Sequence, residues 1–174
     1  MQSKQNYTQK LIIVAFFIAI EIILTRWFSI NIGGIVRIGF AFVPISFLGI
    51  VYGPLWAGAA YAIGDLIGMM LWPSGAFFPG FTLTAFLTGV VFGLVLHKKE
   101  ITFKRVAVAC FIVCFGLNLC LDTLWLVILM NKGFLALLPA RFIKTIVAFT
   151  LQIVFIPFLW NKVFSRIPQV RQLS

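Results

Sequence analysis

The stretch VAVACFIVCFGLNLCLDTLWLVILM, residues 106–130, decides the fold. About 20 apolar residues in helical conformation cross the hydrocarbon core of a bilayer. This run is longer than that, and in lipid its backbone can satisfy itself only as a helix. It reads as a transmembrane helix. Asp122 lies in its outer half, and insertion scales set the cost of an aspartate at a helix centre at about 2.5–3.5 kcal/mol. A carboxylate kept at such depth implies a partner or a ligand.

The same pattern repeats outward from this run. Apolar segments punctuated by Pro, Gly and charge predict further helices over residues 10–28, 40–52, 55–71, 80–96 and 142–160. The one at 40–52 is short and contains Pro44, so it is expected to tilt, kink or extend at one end. Tyr52-Gly53-Pro54 is a tight turn and residues 97–105, HKKEITFKR, form a charged loop. Residues 29–39 and 72–79 are Gly- and aromatic-rich connections, and residues 131–141 form a connection holding Pro139 and two basic residues. The alternating polarity of a barrel strand is absent. Residues 1–174 therefore read as one domain, an all-α membrane protein built as a compact bundle of six transmembrane helices. Glu21 interrupts the first apolar run and no small-residue cleavage site follows it, so that run is expected to be a retained helix rather than a signal peptide.

Composition agrees. Apolar residues make up 62% of the chain and charged residues only 10%, where a soluble domain carries about 25%. The net charge of +10 comes from 14 Lys and Arg against Glu21, Asp65, Glu100 and Asp122. These cations sit between apolar runs, so membrane orientation accounts for them better than nucleic acid does. Placing both termini in the cytoplasm puts Lys4, Lys10, Lys98, Lys99, Lys104, Arg105, Lys162, Arg166 and Arg171 inside, and Arg26, Arg37, Lys132, Arg141 and Lys144 outside. The inner majority satisfies the positive-inside rule and points to a multi-pass protein of the cell membrane. The outer cations run against that rule. Snorkelling explains some; an outward-facing site for an anion explains several falling together. Cys110, Cys114 and Cys120 fit no metal or redox spacing and read as small core residues.

Several polar side chains share helix faces. Asn118, Asp122 and Trp125 stand at i, i+4 and i+7, offering an amide, a carboxylate and an aromatic plane to a flat heterocycle; an interhelical clamp is the rival reading. Arg141, Lys144 or Thr145, Ala148 and Gln152 form a second stripe, which with Arg26 could hold carboxylates, unless Arg141 or Lys144 is taken up by Asp122. Asp65 is a third intramembrane acid, while Glu21 is given no ligand role. Trp27, Phe28, Trp72, Phe77, Phe78 and Phe81 cluster at two outer connections, as an interfacial belt or as a lid over a ring. Ala15 and Ala19 make a small-residue face suited to a partner helix. No GxxxxGK[ST] occurs, and His97 is the single histidine, so neither a P-loop nor a catalytic His set is available. No enzyme activity, cofactor or metal is expected.

On these features the chain resembles the substrate-binding (S) subunits of energy-coupling factor (ECF) transporters, a class of ABC importer. The resemblance covers essentially the whole chain. It rests on six hydrophobic helices, on Ala15-x-x-x-Ala19, and on Gly64-Asp65-Leu66-Ile67-Gly68 continuing through Pro73-Ser74-Gly75-Ala76-Phe77-Phe78-Pro79-Gly80-Phe81-Thr82, which looks like the folate-specific branch. What it implies is vitamin capture from outside by helices four to six and the outer loops. The Ala-x-x-x-Ala face would meet a transmembrane coupling subunit that joins two cytoplasmic ATPases. On that reading folate is the substrate. Its pterin would meet Asp122 and Asn118, or Asp65; its benzoyl group Trp125 or Phe81, with Trp72 nearby; and its glutamate Arg26, Arg141 or Lys144. Another anionic vitamin such as pantothenate, or a small membrane-embedded enzyme, are the alternatives.

Overall fold

The computed structural model describes residues 7–32, 36–73, 77–130 and 133–162. Ser74, Gly75 and Ala76 of the third-loop segment lie outside the described residues, as do Lys4, Lys132, Arg166, Arg171 and the side chain of Arg37.

Among the described residues six helices follow in chain order: α1 (Tyr7–Arg26), α2 (Phe42–Tyr52), α3 (Pro54–Leu71), α4 (Pro79–Leu96), α5 (Phe103–Met130) and α6 (Phe134–Lys162). Five of them are long and apolar enough to cross a membrane, and α2 is a shorter apolar helix. The expected six-helix membrane bundle is what the chain forms. Its two ends are told apart by contacts. Lys10 Nζ lies 4.1 Å from the Trp56 ring centroid, and the Trp160 ring is 6.4 Å from Phe47. The start of α1 and the last turns of α6 therefore meet the α2–α3 turn at one end, the inner end by the charge rule.

Two boundaries differ from the sequence reading. The connection at 29–39 contains a small antiparallel hairpin, β1 (Ile30–Ile32) and β2 (Val36–Ile38), with Ile30 opposite Ile38. The sixth helix begins at Phe134, eight residues earlier than the expected start at 142, and runs through Pro139. Proline removes one i→i−4 bond, and exposed Pro139 sits close enough to the helix start for solvent or headgroups to answer the freed carbonyl.

Apolar burial does not drive helices together inside lipid, so close backbone approach and dispersion must do so. Glycines supply the approach. A Cβ on Gly93 would lie 2.2 Å from Pro54 Cα, one on Gly89 2.5 Å from the Ala57 carbonyl, and one on Gly49 2.9 Å from Gly93 N. Helices α2, α3 and α4 therefore meet along a seam with no room for side chains. Almost all of α2 is buried, which is why it can be short: it crosses protein rather than lipid. Gly53, at φ +90°, makes the turn into α3, and the His97 ring closes over it with Nδ1 2.9 Å from Ile50 O. The main core cluster, including Phe92, Leu96, Val106 and Ile156, fills the inner half of the bundle. The outer half is hollow.

Candidate functional site

The hollow is a cavity of about 350 Å³. Five of the helices contribute residues at helical spacing, and α2 contributes Phe42 alone. From α1 come Glu21 and Thr25, with Ser29 beyond; from α3 Tyr61, Asp65 and Met69; from α4 Phe81, Thr84, Ala85 and Thr88. Helix α5 gives Asn118 and Asp122, and α6 gives Arg141, Lys144, Ala148 and Gln152. Ile38 and Gly39 of the hairpin, with Phe77 and Phe78 before α4, line it nearer the mouth.

Glycines on α3 make the seats on which this wall rests. A Cβ on Gly64 would stand 2.1 Å from Glu21 Oε2, and one on Gly68 2.8 Å from Arg26 Nε. Gly64-Asp65-x-x-Gly68 thus receives the Glu21 carboxylate at one step and the Arg26 guanidinium at the next, with Asp65 facing the cavity between them. Asp65 Oδ2 accepts from Thr82 Oγ1 at 2.8 Å, tying α3 to α4. Glu21, only 1% exposed, accepts from Thr25 Oγ1 at 2.7 Å.

The opposite wall depends on a backbone irregularity. Residues Ile112–Leu121 of α5 are π-helical, a form in which each N–H reaches back five residues and which is frequent at functional sites. Asp122 N–H accordingly bonds Leu117 O. The next carbonyl, Asn118 O, accepts from Arg141 Nη2 at 2.9 Å, and the same nitrogen lies 3.4 Å from Asp122 Oδ2. Arg141, 3% exposed, therefore joins α6 to the wide turn and to its carboxylate at once. The ion pair expected as the rival reading is present, between Asp122 and Arg141, and both residues line the cavity. Trp125 stands behind the wall. Its Nε1 donates to Thr84 Oγ1 at 3.1 Å, its ring lies 5.5 Å from Phe78, and Gly80 leaves space for it.

A family model described as the S component of an ECF-type riboflavin transporter matches residues 5–163. The chain belongs to this S-component family. This S component is 40% identical over 153 residues to a folate transporter FolT of Clostridium novyi (strain NT), covering 88% of each chain. It is 34% identical over 161 residues to a protein of the same name from Leuconostoc mesenteroides, covering 88% of this chain and 85% of the relative. A solved structure described as FolT bound with folic acid superposes with a TM-score of 0.84 at 36% identity, over 89% of this chain and 94% of that one.

Of the S component's expected ligand residues, Asp65, Phe81, Asn118, Asp122, Arg141 and Lys144 come together around the cavity. Three are placed elsewhere. Arg26 packs on Gly68 between α1 and α3, because the cavity face of α1 runs through Glu21 and Thr25, one helical step of about 100° away. Trp72 is half exposed and stacks edge-on against Trp27, with ring centroids 6.3 Å apart. Trp125 lies outside the cavity lining and donates to Thr84, which is part of it. Cys110 and Cys114 are buried as expected, but Cys120 is exposed. Glu21, expected to have no ligand role, lines the cavity together with Thr25, Tyr61, Thr84 and Thr88, which sequence alone does not single out. Their spacings, 21/25 and 84/88, were the available signal.

Proposed function

We propose that this S component captures folate from the outer side of the cell membrane and hands it to a coupling module. The observation that carries this is the cavity itself: lined by Phe42, Tyr61, Phe77, Phe78 and Phe81, with two cations on one stripe and amide and carboxylate groups on the faces around them. Arg141 and Lys144 can only donate, which suits the dianionic glutamate tail. Phe78 and Phe81 offer ring faces to the flat part of the ligand, and Asn118, Asp122 and Asp65 present the polar atoms a pterin edge needs. The relatives named for folate transport support the same substrate.

The match to a model named for riboflavin favours a flavin as the second reading. Riboflavin offers a ring edge but no carboxylate, so it would bring no ligand anion to Arg141 and Lys144. Calorimetric titration of the purified protein decides between them. Folate should bind with a dissociation constant in the nanomolar range, about −12 kcal/mol, and riboflavin should neither bind nor compete. No heat with folate, or displacement of folate by riboflavin, overturns the reading.

Delivery would require a transmembrane coupling subunit and two cytoplasmic ATPases. Ala15 and Ala19 are both exposed on α1, in line with exposed Ile12, Phe16 and Ile23. A face with two small side chains lets another helix approach closely. Ala19→Trp should leave folate titration unchanged and abolish uptake in cells that carry the complete transporter. Loss of binding in that variant would show the face to be internal to the bundle's stability instead.

A further inference from the structure

Among the described residues, the inner end of the bundle carries its free charge on one side only. Lys10 Nζ lies 4.1 Å from the Trp56 ring centroid and 5.2 Å from that of Tyr52, and Lys162 Nζ lies 5.0 Å from that of Phe158. Rings cover these two cations. The others described at this end stand in the connection from α4 to α5 and in the first turn of α5. They are Lys98, Lys99, Lys104 and Arg105, all exposed. Lys99 Nζ donates to Leu94 O at 3.2 Å and Arg105 Nη1 to Glu100 O at 3.3 Å. Those are backbone carbonyls, which leave the charges unneutralised. Among the described residues no salt bridge takes up any of the four, although Glu100 stands between them in the chain.

The positive-inside rule accounts for cations on this side of the membrane but not for where they are put. Lys104 and Arg105 occupy the first turn of α5, which holds no acid. A helix N-terminus is the positive end of the macrodipole, so cations there are unfavourable on their own. They also crowd against Lys98 and Lys99 within a short run of chain. An anion from outside the protein offsets both effects.

Phe103 narrows the class of anion. It is 59% exposed and immediately precedes Lys104 and Arg105. Free phosphate or an acidic protein segment would answer the cations and leave this ring in water. A lipid answers both. Apolar rings beside Lys and Arg sink to the boundary of headgroups and acyl chains, while the basic side chains keep their charges at headgroup level.

We propose that the connection from α4 to α5, through Lys98, Lys99, Phe103, Lys104 and Arg105, is a docking surface for anionic phospholipids of the inner leaflet. It lies at the end of the bundle opposite the hollow and does not depend on what the cavity binds.

The test reconstitutes the full-length protein in bilayers of equal parts phosphatidylcholine and phosphatidylglycerol with the same acyl chains. After mild detergent extraction, native mass spectrometry reads the lipid retained. The unaltered protein should retain phosphatidylglycerol in excess. Lys98→Gln combined with Lys104→Gln removes two side chains that hold no hydrogen bond or ion pair among the described residues. It should lower the excess about 5-fold for each cation lost, the usual effect of a basic residue near an anionic surface, at an unchanged melting temperature. Phe103→Ser should lower it with every charge in place, and Lys162→Gln should leave it as it was. Equal retention of the two lipids by the unaltered protein overturns the proposal, as does an undiminished excess in the double variant. A lower melting temperature of that variant overturns it too, by making the lysines part of the fold. So does an equal loss with Lys162→Gln, which would make net charge the cause. If inorganic phosphate strips the phosphatidylglycerol, or Phe103→Ser retains it in full, the surface takes a bare anion and the lipid assignment fails.

Discussion

Arg141→Ala should remove folate binding and destabilise the S component by about 3–5 kcal/mol, the usual result of stripping one partner from a buried ion pair. Arg141 holds two acceptors with one nitrogen, Asn118 O at 2.9 Å and Asp122 Oδ2 at 3.4 Å. Without it, the Asp122 carboxylate stays in a cavity wall facing lipid-embedded protein and the wide turn of α5 loses its brace. Loss of binding could then follow from unfolding alone, so a second variant separates the effects. Arg141→Ala combined with Asp122→Asn leaves no bare charge and should regain most of the melting temperature measured in detergent. It should still bind folate at least 100-fold more weakly, because the donor for the ligand carboxylate is gone. Recovery of affinity along with stability would remove Arg141 from the ligand site and leave it a purely architectural role.

Gly93→Ala is the second large effect, and it acts through packing alone. The added methyl would stand 2.2 Å from Pro54 Cα and 2.4 Å from Pro54 N, backbone atoms that cannot rotate out of the way. Helices α3 and α4 must separate, or the turn at Gly53 must shift and carry the His97 bond to Ile50 with it. Overpacking costs about 1–3 kcal/mol in cores where side chains can adjust, and the upper end or beyond is expected here. The measurement is thermal unfolding of the variant beside Gly116→Ala, where the nearest atom to an added Cβ is a contact at 4.0 Å. Equal melting temperatures for the two would show the glycine seam to be incidental.

The apolar runs disclosed the helices because bilayer thickness sets a length that soluble proteins have no cause to repeat. Where lipid does not set the length, sequence was a poorer guide. Buried α2 is 11 residues long and looked truncated when measured against a bilayer. The hairpin at Ile30–Ile38 was written in the alternation Ile-Asn-Ile and Val-Arg-Ile, but three-residue strands lie below the length at which alternation stands out from chance. Residues 131–141 read as a connection holding Pro139, but near a helix start a proline forfeits only one bond, and the helix begins at Phe134. In the site, faces read at α-helical spacing located Asn118 with Asp122 and Arg141 with Lys144. They could not place Arg26, because which side of α1 meets the cavity depends on Gly64 and Gly68, whose role is visible only once another helix lies on them; Trp72 lies in a connection, where helical spacing says nothing.

The wide turn of α5 also governs where chemistry points. In an ordinary helix each residue advances the side-chain direction by about 100°, so inserting or deleting one residue between Ile112 and Leu121 would swing Asp122 and everything after it around the axis by that angle. The inner part of α5, anchored through Val106, Ala109 and Cys110, would keep its grip. This segment works as a dial: its length, rather than the identity of any side chain, sets which groups greet a guest, and a single step turns an acid-lined recess into a greasy one on an unchanged scaffold.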